Sequence, residues 1–405
     1  MIRKNNVSGN YMDNKILHIA LVGGQTMPVY LALRESGAGK VILIHSSSTK
    51  KEAERIVRDM SPEMADCQFE LFELEPLDYF VISEKIENLL DAFRNWTVEV
   101  NVSSGTKPWS MAFAMLAYRY ENLQIIYVDQ NSIIYNCTSL QKHAAKTPDI
   151  AGILRYNQTD VKEHRNLEEY TEEDLEQLPK IKAIRDGYNR GKFSVFNTLT
   201  NPNKHNSGRY ANNIRDTIVD PETSSEISWD KSYRDSGSSC LKQLVRFYFI
   251  DKFGNHKEFT LVSPHAFELV TSYGWFEYEV ATILRKWPSC NEVWLNIVFP
   301  YNNKRAKNEI DIIVQTGHKL LFVECKTQVL DKTDIDKFSS AVKNYGGMGA
   351  KALFVTQQYM GTEAEEKCET NKISHFSFYD RLGRPVSHKA LYDLLNQIIK
   401  DSNTR

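Results

Sequence analysis

The sequence predicts an α/β protein with two different α/β domains and a dissimilar region between them. Three observations carry this. Residues 16–137 alternate apolar strand-like runs with helix-patterned segments, residues 138–262 lose that alternation, and from about residue 263 it returns in another order. Strands alternating with helices pair in parallel with helices on both faces, a Rossmann-like arrangement. At 405 residues the chain is too long for one ordinary core, so two or three domains are expected.

In the first domain the runs ILHIALVG (16–23), VILIH (41–45), FELFEL (69–74), VEVNVS (98–103) and QIIYVD (124–129) read as strands. Helices are expected at 29–35, 49–60, 83–93 and 108–120; in the third, Ile86, Leu89, Leu90 and Phe93 fall on one face. The middle region begins with a charged, helix-patterned stretch at about 160–188. It continues through residues 197–240, whose Asn, Ser, Gly and Asp content suits a long polar loop or linker. LVRFYFID (244–251) and KEFTLV (257–262) flank KFGNH as an antiparallel hairpin. The last region offers an amphipathic helix at 272–287 and a strand at 293–299. The hairpin strands in 308–327, a helix at 334–345, a strand at 352–356 and a final helix near 389–400 complete a compact α/β/α unit. The expected boundaries are 1–145, 146–262 and 263–405.

Hydrophobic residues make up 41% and charged residues 25%, as in soluble globular proteins. The formal net charge of −2 leaves nucleic-acid binding to a local patch. Six scattered cysteines without a C-x-x-C pair argue for a reducing compartment and against a thiolate zinc site. The first residues lack the apolar core of a signal peptide, and no apolar run approaches the roughly 20 residues that cross a bilayer. A cytoplasmic protein without membrane association is expected.

The segment NEIDIIVQTGHKLLFVECKT (308–327) places acids and a lysine at the ends of runs built for burial. If the chain turns at Gly317-His318 in a type II′ hairpin, Asp311 lies opposite Glu324 and Glu309 opposite Lys326. Alternation then puts all four on one face. Opposed Cβ atoms are only about 4.5–5.5 Å apart, and two carboxylates that close repel unless a cation intervenes. An oxygen-ligated Mg²⁺ or Mn²⁺ removes the conflict and can activate water against a phosphodiester. A solvated hairpin end with a Glu309–Lys326 salt bridge is the structural alternative, but the flanking IIV and LLFV runs mark a buried sheet. Glu277, on the helix that also carries Trp275, Val280 and Leu284, is placed to join the cluster.

Asp311 and the Glu324-Cys325-Lys326 run, with Glu277 upstream, resemble the PD-(D/E)xK nuclease core over roughly residues 265–400. Ile310 stands where the motif's name has proline. The resemblance implies Glu277, Glu309, Asp311, Glu324 and Lys326 as catalytic residues. It implies a metal held by Asp311, Glu324, Glu277 and the Cys325 carbonyl. Lys304, Arg305 and Lys307 precede the cluster as a candidate phosphate-contacting strip.

Three polar loops follow strands of the first domain. VGGQTMP (22–28) supplies Gly23, Gly24, Gln25, Thr26, Met27 and Pro28. HSSSTK (45–50) supplies Ser46 and Ser47, and NVSSGTKPW (101–109) supplies Ser103, Ser104, Gly105, Thr106 and Lys107. Helix starts of this kind offer backbone N–H groups and a dipole to anions, and the strand C-termini of open α/β sheets are where ligands sit. Neither G-x-G-x-x-G nor a P-loop is present, so dinucleotide and ATPase readings fail. Ordinary turn and capping chemistry would account for any one loop alone; three together argue for a phosphate-bearing ligand.

The GGQT and SSGTK loops resemble those of CRISPR-associated Rossmann-fold (CARF) sensors, and CARF followed by a PD-(D/E)xK core resembles the cyclic-oligoadenylate-activated CRISPR ancillary nucleases. The resemblance implies a homodimer, cyclic tetra-adenylate as activator, and Mn²⁺- or Mg²⁺-dependent cleavage of DNA, with RNA as a further substrate, in type III CRISPR antiviral defence. Two other functions stay open: a CARF-type regulator without catalysis, which would need a winged-helix C-terminal domain, and a ligand-independent restriction or repair nuclease.

Overall fold

The computed structural model describes residues 15–188, 215–220, 225–233, 242–250, 256–270, 274–300, 309–327, 329, 332–347 and 349–400. The chain divides into two compact units. The first comprises Met1–Asp160 with Tyr345–Gly349, and the second Val161–Asn344 with Ala350–Arg405.

The first unit is built on a seven-stranded sheet. Strands β1 (Ile16–Leu21), β2 (Lys40–His45), β3 (Gln68–Glu73), β4 (Thr97–Asn101) and β5 (Leu123–Val128) pair in parallel, and β6 (Ile133–Asn136) and β7 (Gln141–Ala144) add an antiparallel edge. The order is β3-β2-β1-β4-β5-β6-β7. Side chains alternate along β1, and its two faces feed two cores. Leu17, Ile19 and Leu21 meet Ile82 and Ile86 of α3 (Tyr79–Asp91) and Trp109 and Phe113 of α4 (Lys107–Leu116). Ala20 instead shares a core with Val29 and Tyr30 of α1 (Met27–Glu35) and Ile56 and Met60 of α2 (Lys50–Met60). Asp78 caps α3 through the Phe80 and Val81 amides, and α5 (Ile150–Tyr156) follows the edge strands. Every strand and helix expected here is present. The β6–β7 pair lies partly beyond the expected alternation, and all four β7 residues are exposed, so it carries no apolar pattern.

The second unit holds two sheets. One is antiparallel in the order β12-β11-β10-β9, formed by β9 (Arg215–Asp220), β10 (Ser225–Tyr233), β11 (Lys242–Ile250) and β12 (His256–Ser263). The expected hairpin is β11–β12. The expectation of a long polar loop or partly ordered linker over 197–240 is corrected for β9 and β10, whose pairing rests on register, with Ile218 opposite Ile227, rather than on apolar density. The remainder of that stretch lies outside the described residues. The other sheet is mixed, ordered β17-β16-β15-β14-β13-β8, from β8 (Glu163–Asn166), β13 (Glu292–Val298), β14 (Glu309–Thr316), β15 (Lys319–Lys326), β16 (Lys351–Thr356) and β17 (Ser374–Ser377). The charged stretch at 160–188 thus opens with an edge strand before α6 (Glu172–Tyr188) begins.

A short helix α7 (Ala266–Val270) precedes α8 (Gly274–Arg285), whose Val280 and Leu284 share a core with Leu295, Ile312, Val314, Leu321 and Val323. Leu391 and Leu395 of α11 (His388–Lys400) join the same core. Phe354 of β16 meets Phe338 of α9 (Thr333–Tyr345) with ring centroids 6.1 Å apart. An additional helix, α10 (Thr362–Thr370), precedes β17. The result is the expected restriction-endonuclease-like α/β unit.

Candidate functional site

The β14–β15 hairpin turns at Gly317-His318, where Gly317 adopts φ 55°. The ladder keeps the expected register from Thr316↔Lys319 to Ile312↔Val323 and stops there. Past that pair the Asp311 Oδ2 atom accepts the Cys325 backbone N–H at 2.7 Å. A side chain replaces a ladder bond and ties the acid of one strand to the backbone of the other. Lys326 Nζ donates to Glu324 Oε1 at 2.5 Å and lies 3.9 Å from Asp311 Oδ2. Lys326 therefore does not lie across a ladder from Glu309, because the pairing has already ended. Glu309 is an exposed first residue of β14, opposite Val298 of β13.

The charges here are out of balance. Burial, then the Asp311 charge, holds the Glu277 carboxyl well above the ordinary range; Lys326 opposes the shift, while Glu309 and Glu324 reinforce it. Burial and then Asp311 push Glu324 up to about 8 against the pull of Lys326. Asp311 is raised by burial although Lys326 and the Cys325 amide favour its charge. Burial opposes the Lys326 charge, but Asp311 and Glu324 together raise its pKa and hold the proton on it. Three carboxylates thus share one ammonium, an arrangement that favours an added cation and hard oxygen ligation. Among the described residues no group of three His, Cys, Asp or Glu side chains forms a ready cage for an ion.

Sequence reasoning missed Asp334, in the first turn of α9, whose charge acts on both Asp311 and Glu324. An acid at a helix start suits the dipole, so nothing in the sequence separates it from an ordinary capping-turn residue. Lys304, Arg305 and Lys307 lie outside the described residues.

In the first unit the strand order places the loops after β1 and β4 side by side, where the sheet's winding reverses, the usual position of a ligand crevice. The Gly23 N–H donates to Ser104 Oγ at 3.0 Å. A Cβ on Gly23 would stand 2.8 Å from the Gly105 nitrogen, and one on Gly105, at φ 79°, would stand 2.7 Å from Leu21 Cβ. The third loop joins through Thr49 Oγ1, which donates to the Val22 carbonyl at 3.1 Å. Ser46 Oγ lies 2.8 Å from Ser48 Oγ. Helices α1 and α4 both begin at this meeting point.

The candidate ligand residues divide by what already occupies them. Thr26 is buried and donates to the Tyr156 carbonyl at 2.6 Å. Ser103 Oγ donates to Asn101 Oδ1 at 2.5 Å and accepts the Val128 N–H at 2.7 Å. Asn101, a fully buried residue that sequence reasoning passed over, also donates through Nδ2 to the Pro28 carbonyl at 3.0 Å. It braces the two glycine-bearing turns, after β1 and β4, together. Thr106 caps α4. Gly24, Gln25, Ser47, Gly105 and Lys107 are exposed, Met27 and Pro28 are partly exposed, and Ser104 retains its hydroxyl proton for a further acceptor.

Fold and site together define a two-domain protein, a Rossmann-type module and a restriction-endonuclease-like module on one chain. Residues 17–170 match the family model of the Card1 CARF domain, and residues 266–366 match that of the Card1-like endonuclease domain. The chain carries a Card1-type CARF domain followed by a Card1-like endonuclease domain. The comparison with curated proteins returned no significant match.

Among solved structures, the chain is similar to Can2 from Sulfobacillus thermosulfidooxidans in complex with cyclic tetra-adenylate, at TM-score 0.61 and 17% identity over 95% of this chain and 99% of that one. It is also similar to protein VC1899 from Vibrio cholerae, at TM-score 0.64 and 15% identity over 95% and 97%. A type III CRISPR defence DNA nuclease activated by cyclic oligoadenylate aligns at TM-score 0.53 and 15% identity over 94% of this chain and 51% of its own. At these identities the likeness is one of fold. Among the described residues no helix is long and apolar enough to cross a membrane.

Proposed function

We propose that this protein is a metal-dependent nuclease of type III CRISPR defence, switched on by cyclic tetra-adenylate and acting as a homodimer on DNA, with RNA as a further substrate. The observation that carries the reading is the Asp311–Glu324–Lys326 cluster at the splayed end of the hairpin, with Glu277 beside it. Can2, one of the fold neighbours, was solved with cyclic tetra-adenylate, and another is a DNA nuclease activated by cyclic oligoadenylate. The endonuclease-family match disfavours the regulator without catalysis.

The donor set fits Mn²⁺ or Mg²⁺ by its chemistry: Asp311, Glu324, Glu277 and the Cys325 carbonyl are hard oxygen donors, and a bound dication would favour the ionised forms of carboxyls that burial and mutual repulsion hold above their ordinary range. An ion held there would supply Lewis-acid chemistry toward the phosphodiester and its attacking water. The Lys326 ammonium, held charged by Asp311 and Glu324, is the donor for the charge that develops on the phosphate oxygens. Asp311 keeps its place through the Cys325 amide.

At the other site Lys107, the Ser104 hydroxyl and the amides that open α1 and α4 are the groups that would take the activator's phosphates. Support for a homodimer comes from an exposed apolar face beside that loop. Met111 and Met115 lie within α4 and Tyr118 just beyond it, 59%, 63% and 95% exposed, with Phe80 of the packed helix α3 at 86%. A ring-shaped ligand suits an isologous pair that presents each loop twice.

The test is cleavage of supercoiled plasmid and of single-stranded DNA and RNA, with Mn²⁺ or Mg²⁺, with and without each cyclic oligoadenylate. Cleavage that needs both metal and cyclic tetra-adenylate is expected. Equal cleavage without any cyclic oligoadenylate would leave a ligand-independent nuclease and remove the sensor reading.

A further inference from the structure

Asn296 has a left-handed backbone, φ 51°, in the middle of the buried strand β13. L-residues rarely adopt this conformation, asparagine being among the few that tolerate it, and such residues gather where a site over-determines them. Its position in the sheet is particular. β13 pairs with β14 at Leu295↔Ile312 and again at Ile297↔Ile310, so the interrupted place between them sets Asn296 opposite Asp311. On its other side, β13's pairing with β8 shifts register between Leu295 and Val298. The irregularity is therefore confined to the residues flanking the acid that takes the Cys325 amide.

The Asn296 side chain is also committed. Its Nδ2 donates to Glu268 Oε1 at 2.9 Å, and the same oxygen accepts Arg165 Nε at 2.7 Å. Glu268 in turn abuts the start of α8: a Cβ on Gly274 would lie 2.3 Å from the Glu268 carbonyl oxygen, so only glycine fits there. Three residues further along α8 is Glu277. One residue, Glu268, thus touches the strand position beside Asp311 and the first residue of the helix that carries Glu277.

We propose that Asn296 is a positioning residue for the cleavage site, its left-handed backbone setting β14 at Asp311 and its amide, through Glu268, setting the helix of Glu277. The proposal rests on Asp311 and Glu277 belonging to that site. Partners one step removed from metal ligands typically change affinity or activity by about 10–100-fold when lost.

The test uses the full-length chain with Asn296→Ala, Asn296→Gly, Glu268→Gln and an Asp311→Ala control. Mn²⁺ binding is measured by calorimetry, folding by circular dichroism and thermal unfolding, and kcat and KM on the cleaved substrate. Asn296→Ala loses both the amide and a residue that accepts φ 51°, and is expected to weaken Mn²⁺ binding about ten-fold and lower kcat with KM little changed. Asn296→Gly keeps the backbone and loses only the tether, so its loss is expected to be smaller, about three-fold. Glu268→Gln keeps an acceptor for the amide and is expected to stay near native Mn²⁺ affinity. A folded Asn296→Ala with native Mn²⁺ affinity and native kcat overturns the proposal. Should Asn296→Ala not fold, Asn296→Gly equal to native in both measurements overturns it. Undiminished Mn²⁺ binding in Asp311→Ala rejects the site itself instead, and so separates the two failures.

Discussion

The two candidate sites form where regular sheet pairing stops, yet they are finished in opposite ways. Between β1 and β4 the sheet reverses its winding, and the loops that leave it are closed by backbone and hydroxyl bonds, Gly23 to Ser104 and Ser103 to Asn101. Between β14 and β15 the ladder ends at Ile312↔Val323, and beyond that pair a set of partly buried acids shares one lysine. The first site satisfies its own polar groups and offers the remaining donors to an anion. The second crowds carboxyl groups whose ionisation one lysine does not fully offset, so their pKa values are raised and a cation would relieve them. The contrast predicts which ligand sign each site takes, and that removing a side chain hurts the second site more.

The largest effect is expected at the carboxylates. Asp311→Ala removes a candidate ligand and the acceptor of the Cys325 amide together, and metal-dependent cleavage is expected to fall by at least about 100-fold, since partners one step further out already cost 10–100-fold. A plasmid-nicking time course reads this directly, and an Asp311→Ala chain that still cleaves at the native rate breaks the comparison at its stronger end. At the sensor loop the expected effect is smaller. Lys107 is exposed and offers one charged donor, worth about 1.5–3 kcal/mol against an anion. Lys107→Ala should raise the concentration of cyclic tetra-adenylate needed for half-activation by roughly 10–100-fold and leave the maximal rate near native.

A buried acid outside the cluster shows that burial alone does not make an unbalanced site. Asp174 is buried and would be pushed up by that burial. Bonds from the His265 ring and from the Thr171 and His265 amides instead bring it from 3.8 to about 2. Its stabilisation is fully present above the ordinary 3.8 and is lost as pH falls through about 2. The size is roughly 2 kcal/mol at neutral pH. Asp174→Asn should lower the unfolding midpoint in denaturant at pH 7 and flatten the decline in stability between those two pH values. An unchanged acid limb would mean that this carboxylate is no better satisfied than Glu324.

The same difference explains how far each region could be read from sequence. The parallel sheet was legible because β1, β2 and β5 are dense apolar runs between turn signals, and the hairpin register because Gly317 admits a two-residue turn. β7, β8 and β9 were not legible: they are short or polar, and register alone holds them. Asp311, Glu324, Lys326 and Glu277 stood out as charges at the ends of buried elements. Asp334, Asn101 and Glu268 did not, because each is polar where a cap, turn or surface residue would also be polar; Asn296 is a lone polar residue inside an apolar strand run, and its role shows only in its backbone and partners. Only tertiary placement separates a brace from a bystander.

The smallest expected effect discriminates between neighbours within one loop. Ser103 and Ser104 are adjacent and chemically identical, and both stood as ligand candidates. Ser103 Oγ is saturated by the Asn101 side chain and the Val128 amide, so it has nothing left to offer a phosphate. Ser104 Oγ accepts the Gly23 N–H and keeps its proton available. Ser103→Ala should therefore cost about 1 kcal/mol of stability, the worth of a typical buried hydrogen bond, and shift activator affinity by less than about two-fold. Ser104→Ala should weaken activator binding by several-fold, with a smaller change in the thermal midpoint. Calorimetric titration of both variants with cyclic tetra-adenylate reads the difference; equal losses of affinity would mean that this loop acts through its shape and not through the Ser104 hydroxyl.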